Sequence, residues 1–202
     1  MEQSTKDRIL TEALVLFAEK GYKGANLRDL AARLALSKSA LYKHYDSKEH
    51  IWNALLDKME AYYAARFGSV DHLPSTPASL EAFVQMAMGM VRFTVTDPQI
   101  ILTRKLLLTE QFHDERVRKL ATKHFLEGTA NIYARIFEGM MERGLLKRED
   151  PAPLAFSFTA PISALIHNCD REPEKHEASF QRIEAFIRYF LTLHTTDKES
   201  LC

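Results

Sequence analysis

Between Asn26 and Tyr45 the chain has room for two short helices and a tight turn, and this constrains the fold more than any other feature of the sequence. Asn26, with Asp29 three residues on, starts a helix of about two turns whose Leu27, Leu30, Ala31 and Leu34 line one face. Ser37 caps the next helix after a turn of two or three residues, the spacing that sets one helix across another in a helix-turn-helix. Upstream, Ser4 with Asp7 opens a first helix that carries Ile9, Ala13, Leu16 and Phe17 at helical spacing, and Gly21 ends it. Downstream, Asp46 with Glu49 makes a capping-box pattern and opens a fourth helix that runs to about Phe67.

On the third helix a step of about 100° per residue puts Leu41 and Tyr45 on one side, where they can pack against the first two helices. Ser39, Tyr42 and Lys43 face away. Ser and Lys can reach base edges in a major groove, and Tyr and Lys can also reach phosphates. The same pattern describes an ordinary polar helix surface, so the residues alone leave both readings open. Bulk charge does not decide between them, because 27 basic and 27 acidic residues balance to zero and any nucleic-acid site has to be local. Lys38, Lys43 and Lys48 against Asp46 place the positive excess in residues 37–48.

Several spaced elements bear on the choice: Gly21-Tyr22, Leu27-Arg28-Asp29-Leu30-Ala31, Leu36-Ser37-Lys38-Ser39-Ala40-Leu41-Tyr42-Lys43-His44-Tyr45, and Ser47-Lys48. In this register the segment resembles the tetracycline-repressor (TetR) family, over roughly a third of the chain. The resemblance implies an all-α protein. It would have an N-terminal three-helix DNA-binding domain, a fourth connecting helix, and a larger helical domain that binds an effector and dimerises. Carried over by position, Asn26 and Arg28 stand where the family contacts phosphate or a neighbouring base. Ser37, Lys38, Ser39 and Ala40 open the recognition helix, Tyr42, Lys43 and His44 fall at groove and phosphate contacts, and Lys48 stands in the first turn of the fourth helix, where phosphate is favoured. Two positions depart from the family pattern: Ala35 stands at a turn usually held by Gly, and Asn26 at a cap usually held by Thr. Alanine with positive φ costs about 1 kcal/mol, whereas Asn caps as well as Thr.

The expected domains are residues 1–67, with the helix-turn-helix at about 26–45, and residues 77–196, joined by the turn-rich stretch 68–77. Ser79 starts a helix bearing Leu80, Phe83, Val84, Ala87, Val91 and Phe93, which Asp97-Pro98 breaks, and Pro98 begins the next. One long helix is expected from about Asp114 to Arg143, closed by Gly144, and Asp150-Pro151 begins another. From Ala152 to Cys169 there is no Asp, Glu, Lys or Arg, so that helix needs cover on more than one side. The last helix carries a stripe of Phe180, Ile183, Phe186, Ile187, Phe190 and Leu191. Family dimers form four-helix bundles from such a pair, which makes Phe158, Ile162, Leu165, Ile183, Phe186, Ile187 and Phe190 the expected dimer face. A core within one chain is the alternative.

Catalysis has little to stand on, with no nucleophile elbow, glycine-rich phosphate loop or zinc-spaced Cys/His set. No cofactor or metal is expected. Two cysteines make no disulfide framework, the first residues are not signal-like, and no apolar stretch is long enough for a membrane span, so a cytoplasmic protein is expected. The expected partners are a pseudo-palindromic DNA duplex, a second copy of the chain, and a small apolar effector bound between about Phe83 and His167. Met86, Met90, Phe93, Arg104, Gln111, Tyr133 and His167 are the candidates to line that effector site. The expected function is a repressor that the effector releases from its operator, with an effector-free architectural protein or an activator of the same fold as the alternatives.

Overall fold

In the computed structural model, residues 4–67 and 75–196 are described, and every regular element among them is helical. The α-helices are α1 (Thr5–Gly24), α2 (Leu27–Arg33), α3 (Lys38–Tyr42), α4 (Lys48–Phe67), α5 (Leu80–Thr96), α6 (Pro98–Glu110), α7 (Glu115–Thr122), α8 (Gly128–Glu142), α9 (Pro151–Arg171) and α10 (His176–His194). The fold class is all-α, as expected. Of the anticipated linker 68–77, residues 68–74 lie outside the described residues, as does Cys202.

Most helix starts are written locally in the chain. Ser4 accepts the Asp7 amide at 3.1 Å, Ser37 that of Ala40 at 3.1 Å, and Ser79 that of Ala82 at 3.1 Å. Asn26 Oδ1 accepts the amides of both Arg28 and Asp29 at 2.9 Å, and Asp150 accepts that of Ala152 at 3.0 Å. Each bond satisfies a donor that the first helical turn otherwise leaves open. At α4 the cap is Ser47, not the expected Asp46: Ser47 Oγ accepts the His50 amide at 3.0 Å. The Asp46 side chain is instead 91% exposed, with His50 Nδ1 at 3.6 Å.

The chain divides by contact into two compact units. The first comprises the residues up to Arg66 together with Pro98–Ala121. Within it α2 and α3 cross as a helix-turn-helix and α6 packs along α1. Ile9, Leu16, Phe17, Leu30, Leu41 and Ile51 are buried to 1% exposure or less. α6 and most of α7 therefore cluster with the helix-turn-helix, although their sequence position suggests the second domain. No local pattern announces this, because the contacts that hold them reach back to residues 22 and 52.

The second unit comprises Phe67–Asp97 and the residues from Thr122 onward. Here α8 packs on α9, and α10 packs on α5 and α9. Its core is aromatic: Phe158 has ring centroids of Tyr133 at 4.8 Å and Phe190 at 4.9 Å, and Phe83 and Phe137 lie 5.5 Å apart. Arranged edge-on or tilted, such rings add to what their buried area contributes. The long helix expected over 114–143 is interrupted. A π-helical turn, Lys123–Glu127, separates α7 from α8, and a Cβ on Gly128 would stand 2.5 Å from the Lys123 carbonyl oxygen. Glycine is therefore needed where the widened turn brings backbone against backbone. Gly144, with φ of 75°, ends α8 as expected.

Candidate nucleic-acid interface

The geometry of α2 and α3 follows from the turn that joins them. Leu34 caps α2, Ala35 takes φ of 53°, and Leu36 returns its amide to the Ala31 carbonyl at 2.9 Å while the Ala35 amide meets that of Ala32 at 3.1 Å. This pair of bonds is a Schellman closure, with alanine at the left-handed position that usually takes glycine. Ala35 is the one non-glycine residue of positive φ among the described residues.

Across that turn α3 buries Leu41 completely and Tyr45 follows it into the core at 5% exposure. Ser37, Lys38, Ser39, Tyr42 and Lys43 are exposed, and Ala40 and His44 are half-buried beside them. The Ser37 and Ser39 hydroxyls lie 2.9 Å apart, and the Lys38 ammonium sits 5.6 Å from the Tyr42 ring centroid. Arg28 is exposed at the start of α2, and neither Arg28 nor Lys43 has an ion-pair partner among the described residues. Nearby cations are committed elsewhere. Lys20 bonds Asp29 at 2.6 Å and Arg33 pairs with Glu19. Lys6, which the sequence reading passed over, places its ammonium 5.9 Å from the Tyr45 ring, beside α3.

Lys48 is more tightly engaged than its sequence position suggests. Its Nζ donates to the Ala25 carbonyl at 2.6 Å and reaches that of Lys23 at 3.5 Å, with the Tyr22 ring centroid 4.5 Å away. The end of α1 presents carbonyls and the negative pole of its dipole, a natural seat for a cation. Burial holds this ammonium below its ordinary pKa, and the charge of Glu110 offsets part of that effect. Lys48 thus ties the start of α4 to the α1–α2 turn.

The other expected sites are distributed unevenly. Met86, Met90, Phe93, Tyr133 and His167 belong to the second unit, and Arg104 and Gln111 to the first, so the seven are not gathered within one unit. Met86 and Met90 pack against the aromatic core, and the buried Tyr133 hydroxyl donates to Met90 Sδ at 3.8 Å. Burial raises the Tyr133 pKa, which keeps the phenol a donor. Phe93 lies 5.7 Å from Phe67, and the half-buried His167 meets Phe125 edge-on at 5.8 Å. Gln111 donates to the Leu108 carbonyl at 2.9 Å, and Arg104 is buried.

Of the residues expected at a dimer face, Phe158, Ile162, Ile183, Ile187 and Phe190 are buried in the second unit's own core. Leu165 and Phe186 pack partly against it. The apolar stripe of α10 is satisfied within the protomer by α5 and α9, a partner choice that periodicity does not encode. What remains outward is a different set. Phe156, Ala160 and Ala164 are exposed at four-residue spacing on α9, and Ala185, Tyr189 and Leu193 at the same spacing on α10. Phe156, Tyr189 and Leu193 are each at least half exposed.

Residues 9–55 match the family model of bacterial regulatory proteins of the TetR family. The negative transcriptional regulator IcaR of the biofilm operon icaADBC in Staphylococcus epidermidis is 40% identical over 58 residues, covering 29% of this chain and 31% of that protein. The match therefore spans less than a third of that relative's length. Among solved structures, SmeT, the repressor of the Stenotrophomonas maltophilia multidrug efflux pump SmeDEF, superposes with a TM-score of 0.66 at 18% identity, covering 97% of this chain and 93% of SmeT. A Saccharomonospora viridis transcriptional regulator in complex with choline gives a TM-score of 0.65 at 18% identity over 95% and 97% of the two chains. Over residues 9–55 the sequence thus matches the TetR-family model, and the fold of the whole chain is similar to that of SmeT.

Proposed function

We propose that the protein is a dimeric transcriptional repressor that binds a pseudo-palindromic operator and is released from it by a small molecule. One observation carries the DNA-binding part: Leu41 and Tyr45 anchor α3 in the core and so turn Ser39, Tyr42 and Lys43 to solvent. That outward set has the hydrogen-bonding and charged groups a major groove selects. Repression is favoured by IcaR, a negative regulator, and SmeT, a repressor. A repressor acting on the chromosome would work in the cytoplasm, and no described helix is long and apolar enough to cross a membrane.

The dimer is proposed to form through the outward faces of α9 and α10. The α9 face carries no charge, and small Ala160 and Ala164 beside Phe156 allow a second helix to approach closely. An isologous contact of this kind presents the two α3 helices with two-fold symmetry, which the operator's half-sites would mirror.

The effector is proposed to sit in the second unit against Met86, Met90 and Tyr133. Thioether side chains deform readily around an apolar guest. Among the described residues the acceptor of the Tyr133 hydroxyl is the weak Met90 sulfur, so a ligand carbonyl or ether oxygen would be the better partner. The Saccharomonospora neighbour was solved in complex with choline, which supports a small-molecule ligand for a protein of this fold. The test is selection of duplexes from a randomised pool, followed by a thermal-shift screen of small molecules. A pseudo-palindromic consensus, and a ligand that both raises the melting temperature and releases the duplex, are expected. A pool that yields no consensus would overturn the operator reading, and DNA binding that no stabilising ligand alters would favour an effector-free architectural protein.

A further inference from the structure

Glu110 ends α6 and is buried, at 7% exposure. Its Oε1 accepts the backbone N–H of Tyr22 at 3.2 Å, across 88 positions of sequence. That amide directly follows Gly21, whose φ of 68° and ψ of 168° break α1 in a region of backbone space open essentially to glycine alone. A Cβ on Gly21 would stand 2.7 Å from the same carboxylate oxygen. The glycine and the carboxylate therefore fit each other: the break exposes an amide that the helix no longer satisfies, and the missing side chain leaves room for the group that satisfies it. Beyond the break come the Lys23 and Ala25 carbonyls that hold Lys48, then Asn26, which starts α2. A second carboxylate from the turn after α6 reaches the same region. Asp114 accepts the Trp52 indole N–H at 2.9 Å through Oδ2, while its Oδ1 accepts the amides of Arg116 and Val117 and so caps α7.

We propose that Glu110 is a positioning residue for DNA binding: it holds the Gly21 break, and through it the α1–α2 turn that presents Arg28 and seats Lys48. The assignment rests on the DNA-binding reading given above. Glu110 lies in the interior and takes no part in the DNA-facing surface. Its effect is transmitted by the turn, and a glutamine, which keeps an acceptor oxygen for Tyr22, should largely replace it. A carboxylate that served only to stabilise the fold would change melting without changing the affinity of the folded protein.

The test uses the full chain and a duplex that the wild-type protein selects from a randomised pool. Binding is read by fluorescence anisotropy below the melting transition, and protection of the Tyr22 amide by hydrogen exchange. Glu110→Ala is expected to weaken the duplex by about ten-fold or more and to expose the Tyr22 amide, with Glu110→Gln restoring both most of the way. Should Glu110→Ala not fold, Glu110→Gln and Gly21→Ala carry the test. Gly21→Ala pushes a methyl into the carboxylate, so it should weaken binding while Glu110→Gln stays near wild type. Wild-type affinity in Glu110→Ala, or in Gly21→Ala if Glu110→Ala does not fold, overturns the assignment and leaves the DNA-binding reading standing. A wild-type protein that selects no duplex removes both.

Discussion

The Leu36 amide donates to the Ala31 carbonyl at 2.9 Å, closing α2 around a left-handed alanine. The strained residue is the one between them, Ala35. Removing its Cβ relieves the left-handed penalty, while the freer unfolded chain takes back part of the gain. Ala35→Gly is therefore expected to raise stability by up to about 1 kcal/mol, or about 2–4 °C in Tm for a chain of this size. Calorimetry checks it, and a lower Tm would mean that the turn is shaped for alanine.

Lys48 and Lys43 should separate cleanly. Lys48→Ala removes a charged donor from the Ala25 carbonyl and is expected to lower stability by about 1–2 kcal/mol and weaken DNA binding with it. Lys43, exposed and without an ion-pair partner among the described residues, should leave stability unchanged when replaced by Ala. If it meets a phosphate, its loss lowers the slope of log affinity against log salt by about one per protomer. Urea unfolding and salt titrations on both variants provide the comparison.

On α9 and α10 the outward and inward residues should behave oppositely. Phe156→Glu and Tyr189→Glu are expected to give folded monomers, since both side chains are at least half exposed. Ile183→Glu should unfold the second unit instead, because Ile183 is fully buried and an unpaired charge there has no partner. Sedimentation and circular dichroism distinguish the outcomes. Dimers that survive both glutamate substitutions would place the interface elsewhere.

Asp29 links α2 to α1 through Lys20, and this makes stability sensitive to acid. The Lys20 hydrogen bond holds the Asp29 carboxyl below the usual range; burial opposes it, and the Asn26 hydrogen bond and the charges of Lys20 and Arg33 add smaller lowering effects. The unfolded chain therefore binds the proton more readily. The stabilisation is complete above the ordinary carboxylate pKa of about 4 and is lost as pH falls through the lower folded value. Asp29→Asn should flatten that acid limb in urea unfolding measured from about pH 6 to pH 3, and an unchanged limb would assign it to other carboxylates.

What could be read from the chain beforehand divides by distance. Ser4, Asn26, Ser37, Ser79 and Asp150 announce their helices because a cap needs only the next two or three residues. The outward set on α3 follows from helical period once Leu41 and Tyr45 are taken as buried. Glu110 follows a largely apolar stretch of sequence, and its partner is a backbone amide 88 residues away that no side-chain pattern marks. The stripe of α10 was legible as buried, but whether α5 and α9 or a second copy covers it is a matter of tertiary packing. Phe156 and Tyr189 were legible only after that stripe had been placed inside. The π-helical turn before Gly128 left no trace in a periodicity that continues on both sides of it.

The most direct measurement is the affinity of a selected duplex for the wild-type protein and for Tyr42→Ala and Ser39→Ala, at fixed physiological salt. Groove contacts of this type contribute about 1–3 kcal/mol each. Each variant should therefore weaken binding by about five-fold or more, alter the selected consensus, and melt as the wild type does. Two variants that keep wild-type affinity and the same consensus would contradict the placement of α3 in the groove.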